Sequence, residues 1–252
     1  MNLIEVKNLN FNYDKKVIFK DLSFNIKKAQ LVSVVTPSSA GKTTLLKILC
    51  GEIKTSNVFI DGELLNLKKM NKISLIFPFT NTYSKTVLEE LSLVTGNYIR
   101  IKKYLKVFGL LSCMNLSPTD LSYFELQKLN LVKSLLKKSE IILIDNIFTY
   151  FTKYETLEYI GLIRKYIYDK KITVIYTSES LEEIMFCDKT LIIDKELLYE
   201  GNIDKIYSNE NIIKKSKINI PLENELIEKL KLYDVIDNIN YSIEEMVDEI
   251  CK

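Results

Sequence analysis

The stretch Thr36-Pro37-Ser38-Ser39-Ala40-Gly41-Lys42-Thr43-Thr44 follows the apolar run Leu31-Val32-Ser33-Val34-Val35 and leads into a helical pattern over Lys42–Cys50. A buried strand that passes through a Gly-Lys-Thr loop into a helix points to an α/β sheet fold. It also points to an anion site at the loop, because the free N–H groups and dipole of the helix start favour negative charge. The spacing is that of the phosphate-binding loop G-x-x-x-x-G-K-[ST], with Thr36 in place of the first glycine. Ser38, Ser39, Ala40, Gly41, Lys42, Thr43 and Thr44 are therefore the expected phosphate-binding residues. Lys42 would reach the β- and γ-phosphates, and Thr43 would set its hydroxyl on Mg2+. Backbone donors survive loss of a glycine, but Thr36 and Ser39 are expected to cost roughly 1–2 kcal/mol each where left-handed. A chance Gly-Lys-Thr at a helix start is the plainer alternative, and the flanking strand argues against it.

A magnesium site at that loop needs a carboxylate, and Ile141-Ile142-Leu143-Ile144-Asp145 offers one at the end of another apolar run. Ligands of open α/β sheets bind beyond the carboxyl ends of the strands, so Asp145 and Lys42 are expected to share a pocket. An Asp at a strand end also serves simply as a helix cap.

Ile73–Phe77 and Ile172–Tyr176 complete a set of short apolar runs of the kind that form buried parallel strands. Alternation over Ile4–Leu9 and Leu22–Ile26 predicts half-buried antiparallel strands near the amino terminus. Helical spacing is expected over Lys42–Cys50, Val87–Leu93, Tyr98–Phe108, Tyr123–Leu136, Tyr154–Tyr168 and Leu181–Phe186. Strands alternating with helices imply a mostly parallel sheet covered on both faces. Residues about 82–136 supply helices without a strand and read as a helical subdomain. After residue 207 the texture changes to short polar helices, so the division expected is 1–207 and a helical extension over 208–252.

Composition closes off other classes of function. A net charge of +2 with scattered lysines gives no reason to expect nucleic acid. The chain has no histidine, and Cys50, Cys113, Cys187 and Cys251 lie far apart, so a zinc site is not expected and a reduced, cytosolic chain is. No apolar stretch approaches the roughly 18 residues of a membrane span, and the first residues lack a signal-peptide core. A membrane role would therefore come through a partner.

From residue 3 to about 208 the chain resembles the ATP-binding subunits of ABC transporters. The phosphate loop and Asp145 carry the resemblance, together with Leu121-Ser122-Tyr123-Phe124-Glu125 and the turns at Asp61-Gly62 and Glu200-Gly201. The resemblance implies a P-loop NTPase core that binds ATP with Mg2+, and Tyr13 as the aromatic residue under the adenine ring. It further implies head-to-tail pairing of two ATPase subunits, with Ser122, Tyr123, Phe124 and Glu125 as the signature offered to the partner's nucleotide. Read locally, Ser122 and Glu125 equally form a capping box for the helix that follows.

Three departures from the family fall on hydrolysis. Asn146 stands where the family has the Glu that polarises water, Pro78 where it has a Gln, and Ser178 where it has a His. Loss of a general base costs about 10²–10⁴ in rate. Tyr123 and Phe124 put bulk where the family has glycines. The tail, Ile220–Leu226 and Tyr241–Val247, is similar to that of energy-coupling factor ATPases, although two capped amphipathic helices would read the same way. The resemblance thus implies a membrane-bound importer at the cytoplasmic face, with a paralogous ATPase as heterodimer partner, a transmembrane scaffold and a substrate-binding membrane protein. A non-catalytic nucleotide-binding module is the alternative.

Overall fold

A computed structural model describes residues 2–79, 82–179, 184, 186–202 and 206. The chain opens with β1 (Asn2–Tyr13) and β2 (Lys16–Lys27), then β3 (Leu31–Val35) and α1 (Lys42–Cys50). Next come β4 (Val58–Ile60), β5 (Glu63–Leu64), the single turn α2 (Leu67–Met70) and β6 (Ile73–Ile76). Helices α3 (Val87–Ser92), α4 (Tyr98–Val107) and α5 (Tyr123–Leu136) follow without an intervening strand. The order then alternates through β7 (Ile141–Ile144), α6 (Lys153–Lys170), β8 (Thr173–Ser178), β9 (Lys189–Asp194) and β10 (Glu196–Gly201).

Two sheets result. One is antiparallel, in the order β2-β1-β4-β5, and the other runs β10-β9-β3-β8-β7-β6 with every pair parallel except the edge pair β10 and β9. The α/β class with a mostly parallel sheet and antiparallel amino-terminal strands therefore holds. Strand alternation divides the core in two. Val32 and Val34 of β3, with Ile141 and Leu143 of β7, pack toward α1 and the antiparallel sheet. Their neighbours Leu31, Val35, Ile142 and Ile144 pack against Leu129 and Val132 of α5 and Ile160 and Ile163 of α6. Burial on both faces explains why these strands read as unbroken apolar runs.

Strands β4, β5, β9 and β10 are additions to the sequence reading, and Glu200-Gly201, expected as a turn, closes strand β10. Among described residues no helix is long and apolar enough to cross a membrane. Cys50, Cys113 and Cys187 are free thiols. The tail motifs, Cys251 and most of the expected helix over Leu181–Phe186 lie outside the described residues.

One buried carboxylate ties the helical segment together. Glu90 of α3 is wholly buried, accepts the N–H groups of Tyr83 and Ser84, and pairs with Lys133 of α5. Burial pushes this carboxyl up, but Lys133 and the backbone donors outweigh burial and hold it below the usual value of 4.5. A carboxyl depressed by folding contributes stability above its unfolded value and loses it as pH falls toward the folded value. Thermal melts of wild type and Glu90→Gln between pH 7 and 3 should thus show a gap, fully present above about pH 5, that narrows below it. A gap that stays constant down to pH 3 would exclude this account.

Candidate functional site

The phosphate loop connects β3, in the middle of the parallel sheet, to α1. Its flanking strands place the other residues: β8 lies on one side of β3 in the register Val35 to Ser178, and β7 lies beyond β8 with Ile144 opposite Tyr176. Residues just past the ends of three adjacent strands therefore meet. They line a cavity of about 460 Å³ that contains Tyr13, Lys16, Ile18, Ser39, Gly41, Lys42, Thr43, Thr44, Pro78, Asp145, Asn146 and Glu179.

Of the two loop positions expected to be strained, only Ser39 is left-handed, at φ 60°. Thr36 is not left-handed; it is buried, donates its N–H to the Ser178 carbonyl at 3.3 Å and directs its hydroxyl to the Pro37 carbonyl. Substituting that first glycine thus costs no left-handed strain. Gly41 is the glycine the loop cannot lose. It sits at φ 101°, and a Cβ there would stand 2.5 Å from Cγ2 of Ile18. As the N-cap of α1 it brings no capping side chain, so the first-turn N–H groups face the cavity side without a side-chain acceptor.

Thr43 Oγ1 donates to Asp145 Oδ2 at 2.6 Å, and Thr177 Oγ1 donates to Asp145 Oδ1 at 3.0 Å. Asp145 is buried, so these hydroxyls, with the Asp145 N–H bonded to the Ile76 carbonyl at 2.8 Å, fix its orientation. Asp145 is a strand-end residue facing the loop and not a simple helix cap. Among described residues no cluster of three or more His, Cys, Asp or Glu side chains is placed to hold a metal. One hydroxyl beside one carboxylate, next to a phosphate-binding lysine, is nevertheless a hard-oxygen donor set suited to Mg2+, which takes few protein ligands and completes its shell with phosphate and water.

Lys42 is only 9% exposed, and its ammonium lies 2.7 Å from Glu179 Oε1 and 3.4 Å from the Pro37 carbonyl. Glu179 escaped the sequence reading, which stopped at Ser178. The available signal was positional: a residue one step past the end of a strand adjacent to β3 must reach the loop. Ser178 itself is buried and its side chain does not line the cavity.

Asn146 is left-handed at φ 47°, a conformation that Asn tolerates better than most residues. Its N–H bonds to Thr177 Oγ1 at 3.0 Å and its side-chain oxygen accepts from Thr149 at 3.3 Å. Pro78 presents its carbonyl to Gln127 Nε2 at 2.7 Å. Tyr13 is 49% exposed at the cavity margin, its ring edge-on to Phe11. Ser38 and Ala40 belong to the loop but do not line the cavity.

At the start of α5 the Ser122 and Glu125 capping box is present in both directions. The Ser122 hydroxyl and N–H hold the Glu125 carboxyl below its usual range. Phe124 packs edge-on against Phe151 and near Tyr159, while Tyr123 packs against Tyr150 and donates to the Ile147 carbonyl at 3.4 Å. Much of the bulk expected at this helix start is therefore folded back onto the same chain.

A wider cleft of about 950 Å³ lies between α4, α5 and α6 and carries Arg100, Lys103, Lys138, Lys165 and Lys170. Arg100 bonds the Leu135 carbonyl at 3.0 Å, and Lys138 and Lys170 stand at the carboxyl ends of α5 and α6. Arg100, Lys138 and Lys170 thus offset helix-end carbonyls, which accounts for three of the five cations without a ligand.

Comparison with known proteins agrees with this fold. Residues 19–149 match the family described as ABC transporter. An ABC transporter ATP-binding protein of Pyrococcus abyssi is 27% identical over 279 residues, spanning 100% of this chain and 99% of its own. The energy-coupling factor transporter ATP-binding protein EcfA1 of Mycoplasma mobile is 28% identical over 269 residues, spanning 99% and 97%. Among solved structures, cbiO1 of Clostridium perfringens, described as part of the ABC transporter complex cbiONQ, aligns with a TM-score of 0.76 over 90% of this chain and 99% of its own. At 19% identity that likeness concerns the fold.

Proposed function

The chain belongs to the ABC transporter family, as an ATP-binding subunit, and from that premise we propose that it is the weakly hydrolytic half of a heterodimeric ATPase pair in an energy-coupling-factor-type importer. It binds Mg-ATP and on its own turns it over slowly. The observation that carries this reading is that Lys42, Thr43 and Asp145 line one cavity while the residue after Asp145 is Asn146.

Each side chain then has a task. Lys42 neutralises phosphate charge, and the first-turn N–H groups of α1 add donors to the phosphate oxygens. Thr43 and Asp145 would hold Mg2+, which when bound offsets the negative charge of the β- and γ-phosphates. Tyr13 offers a ring face to the base. Asn146 orients a water at best, since an amide cannot accept its proton, and its oxygen is already used by Thr149. At position 78 a proline leaves only a carbonyl, which Gln127 occupies. Three altered positions acting on one reaction are not additive, so restoring one of them alone is not expected to restore the rate.

The assignment to energy-coupling factor importers rests on relatives of that name and on the tail motifs. It places a paralogous ATPase, a transmembrane scaffold and a substrate-binding membrane protein as partners, and the chain at the cytoplasmic face of the membrane as a peripheral subunit. Nucleic acid has no part in it.

The test is a turnover measurement on the purified chain beside the paralogue that accompanies it from membranes. The chain alone should release phosphate at least about 100-fold more slowly than the paralogue, the scale of a missing general base. Equal rates would defeat the reading, as would a membrane eluate containing no second ATPase.

A further inference from the structure

We propose that Glu179 is a tethered competitor for the phosphate site: its carboxylate occupies the Lys42 ammonium in the nucleotide-free chain and must leave before a ligand binds. Glu179 thereby sets both the affinity and the minimum charge of the ligand accepted. This inference rests on the reading of the cavity as a nucleotide site.

Three observations converge on it. First, the carboxylate lies 2.7 Å from the ammonium, where phosphate oxygens would have to lie to reach the same cation. Second, Lys42 is nearly buried, and among the described residues the other partner of its ammonium is a backbone carbonyl at 3.4 Å. A charge so withdrawn from water needs an anion beside it, and Glu179 supplies one while no phosphate is present. Third, the two carboxylates in the cavity differ in freedom. Asp145 is buried with each oxygen held by a threonine hydroxyl. Glu179 is 44% exposed and can swing into solvent at little cost.

Competition of this kind is intramolecular. A group tethered by a short flexible side chain acts at an effective concentration on the order of millimolar or more, so a ligand that offers a single weak contact does not displace it. Inorganic phosphate offers the lysine and the loop donors one phosphoryl group and nothing beyond it, so it competes poorly with the tethered carboxylate. A nucleoside triphosphate with Mg2+ replaces the lost ion pair and adds bonds to the loop N–H groups, and so it can displace the carboxylate. Glu179 is thus a specificity-determining residue that excludes small anions.

The test is a calorimetric titration of the full chain with MgATP and, separately, with inorganic phosphate, using wild type, Glu179→Gln and Glu179→Asp. Thermal melts confirm that each variant is folded. Glu179→Gln should bind MgATP about fivefold more tightly than wild type, a change of the size expected for one ion pair, and should bind phosphate measurably at millimolar concentration where wild type does not. Glu179→Asp keeps the charge but draws the carboxylate back by about 1.5 Å, one carbon–carbon bond, and should also bind more tightly than wild type.

Equal MgATP affinity of wild type and Glu179→Gln would overturn the proposal. So would tighter binding by Glu179→Gln but not Glu179→Asp, which would reveal a general field and not a contact. Loss of residual turnover at unchanged affinity would assign Glu179 to water activation and overturn it too. Failure of both wild type and Glu179→Gln to bind MgATP at millimolar concentration would overturn the nucleotide reading itself and this inference with it.

Discussion

Lys42→Ala lowers the affinity of the chain for MgATP by at least about a hundredfold, read by equilibrium titration with a fluorescent nucleotide. The ammonium is the one cation in the cavity that stands at the start of α1, where Gly41, Thr43 and Thr44 line the same space. Hydrogen bonds to charged groups contribute about 1.5–3 kcal/mol each, and 1.4 kcal/mol is a factor of ten, so losing two such bonds to phosphate accounts for the drop. The melting temperature should stay near that of wild type. Removing Lys42 releases Glu179, a half-exposed carboxylate, to water, and the packing lost is confined to the methylene stem of Lys42 itself. Binding within about threefold of wild type, roughly 0.6 kcal/mol, would mean that the phosphates are held elsewhere.

Tyr159→Ala has the largest expected effect on stability. Tyr159 of α6 is wholly buried, with its ring against Phe148, Phe151 and Phe124, and its hydroxyl donates to the Gln127 carbonyl at 3.1 Å. Burial in these surroundings pushes the phenol far above its ordinary range, so it stays protonated and a donor. Truncating a buried aromatic ring costs about 3–5 kcal/mol. For a chain of this size each kilocalorie moves the melting temperature by about 2–4 °C, so a fall of about 6–20 °C is expected in a calorimetric scan. Tyr159→Phe keeps the ring and removes one hydrogen bond, worth about 1 kcal/mol. If the two variants melted together, the hydroxyl and not the ring would be holding α6 in place. The effect should also reach the site, because Gln127 holds the Pro78 carbonyl at 2.7 Å.

The middle of the sheet was readable because β3 and β7 are buried along their whole length, and an unbroken apolar run bounded by loop residues has few other uses. Strand β9 carries only Leu191-Ile192-Ile193 between polar residues, too short a run to tell from a buried turn. Strand β10 is half-buried at a sheet edge, and β4 has three residues, so neither shows a period. In the site, the loop, Asp145 and Asn146 were legible as motif letters in order. Glu179 was not, because its position beside Lys42 comes from the pairing of β3 with β8, Val35 beside Ser178, and not from local spacing. Tyr123 and Phe124 were legible as substitutions but not as packing, since their partners Tyr150 and Phe151 follow a different strand.

Lys42, Asn146 and Glu179 all stand beyond strand ends, and none belongs to either apolar layer of the core. Selection for a chain that merely persists in the cell has almost no purchase on them. A lineage can therefore change its chemistry at these positions while both apolar layers of the core stay as they are. Surveys of such chains that sort by robustness will group active and inactive descendants together, and only the appearance of free phosphate will separate them.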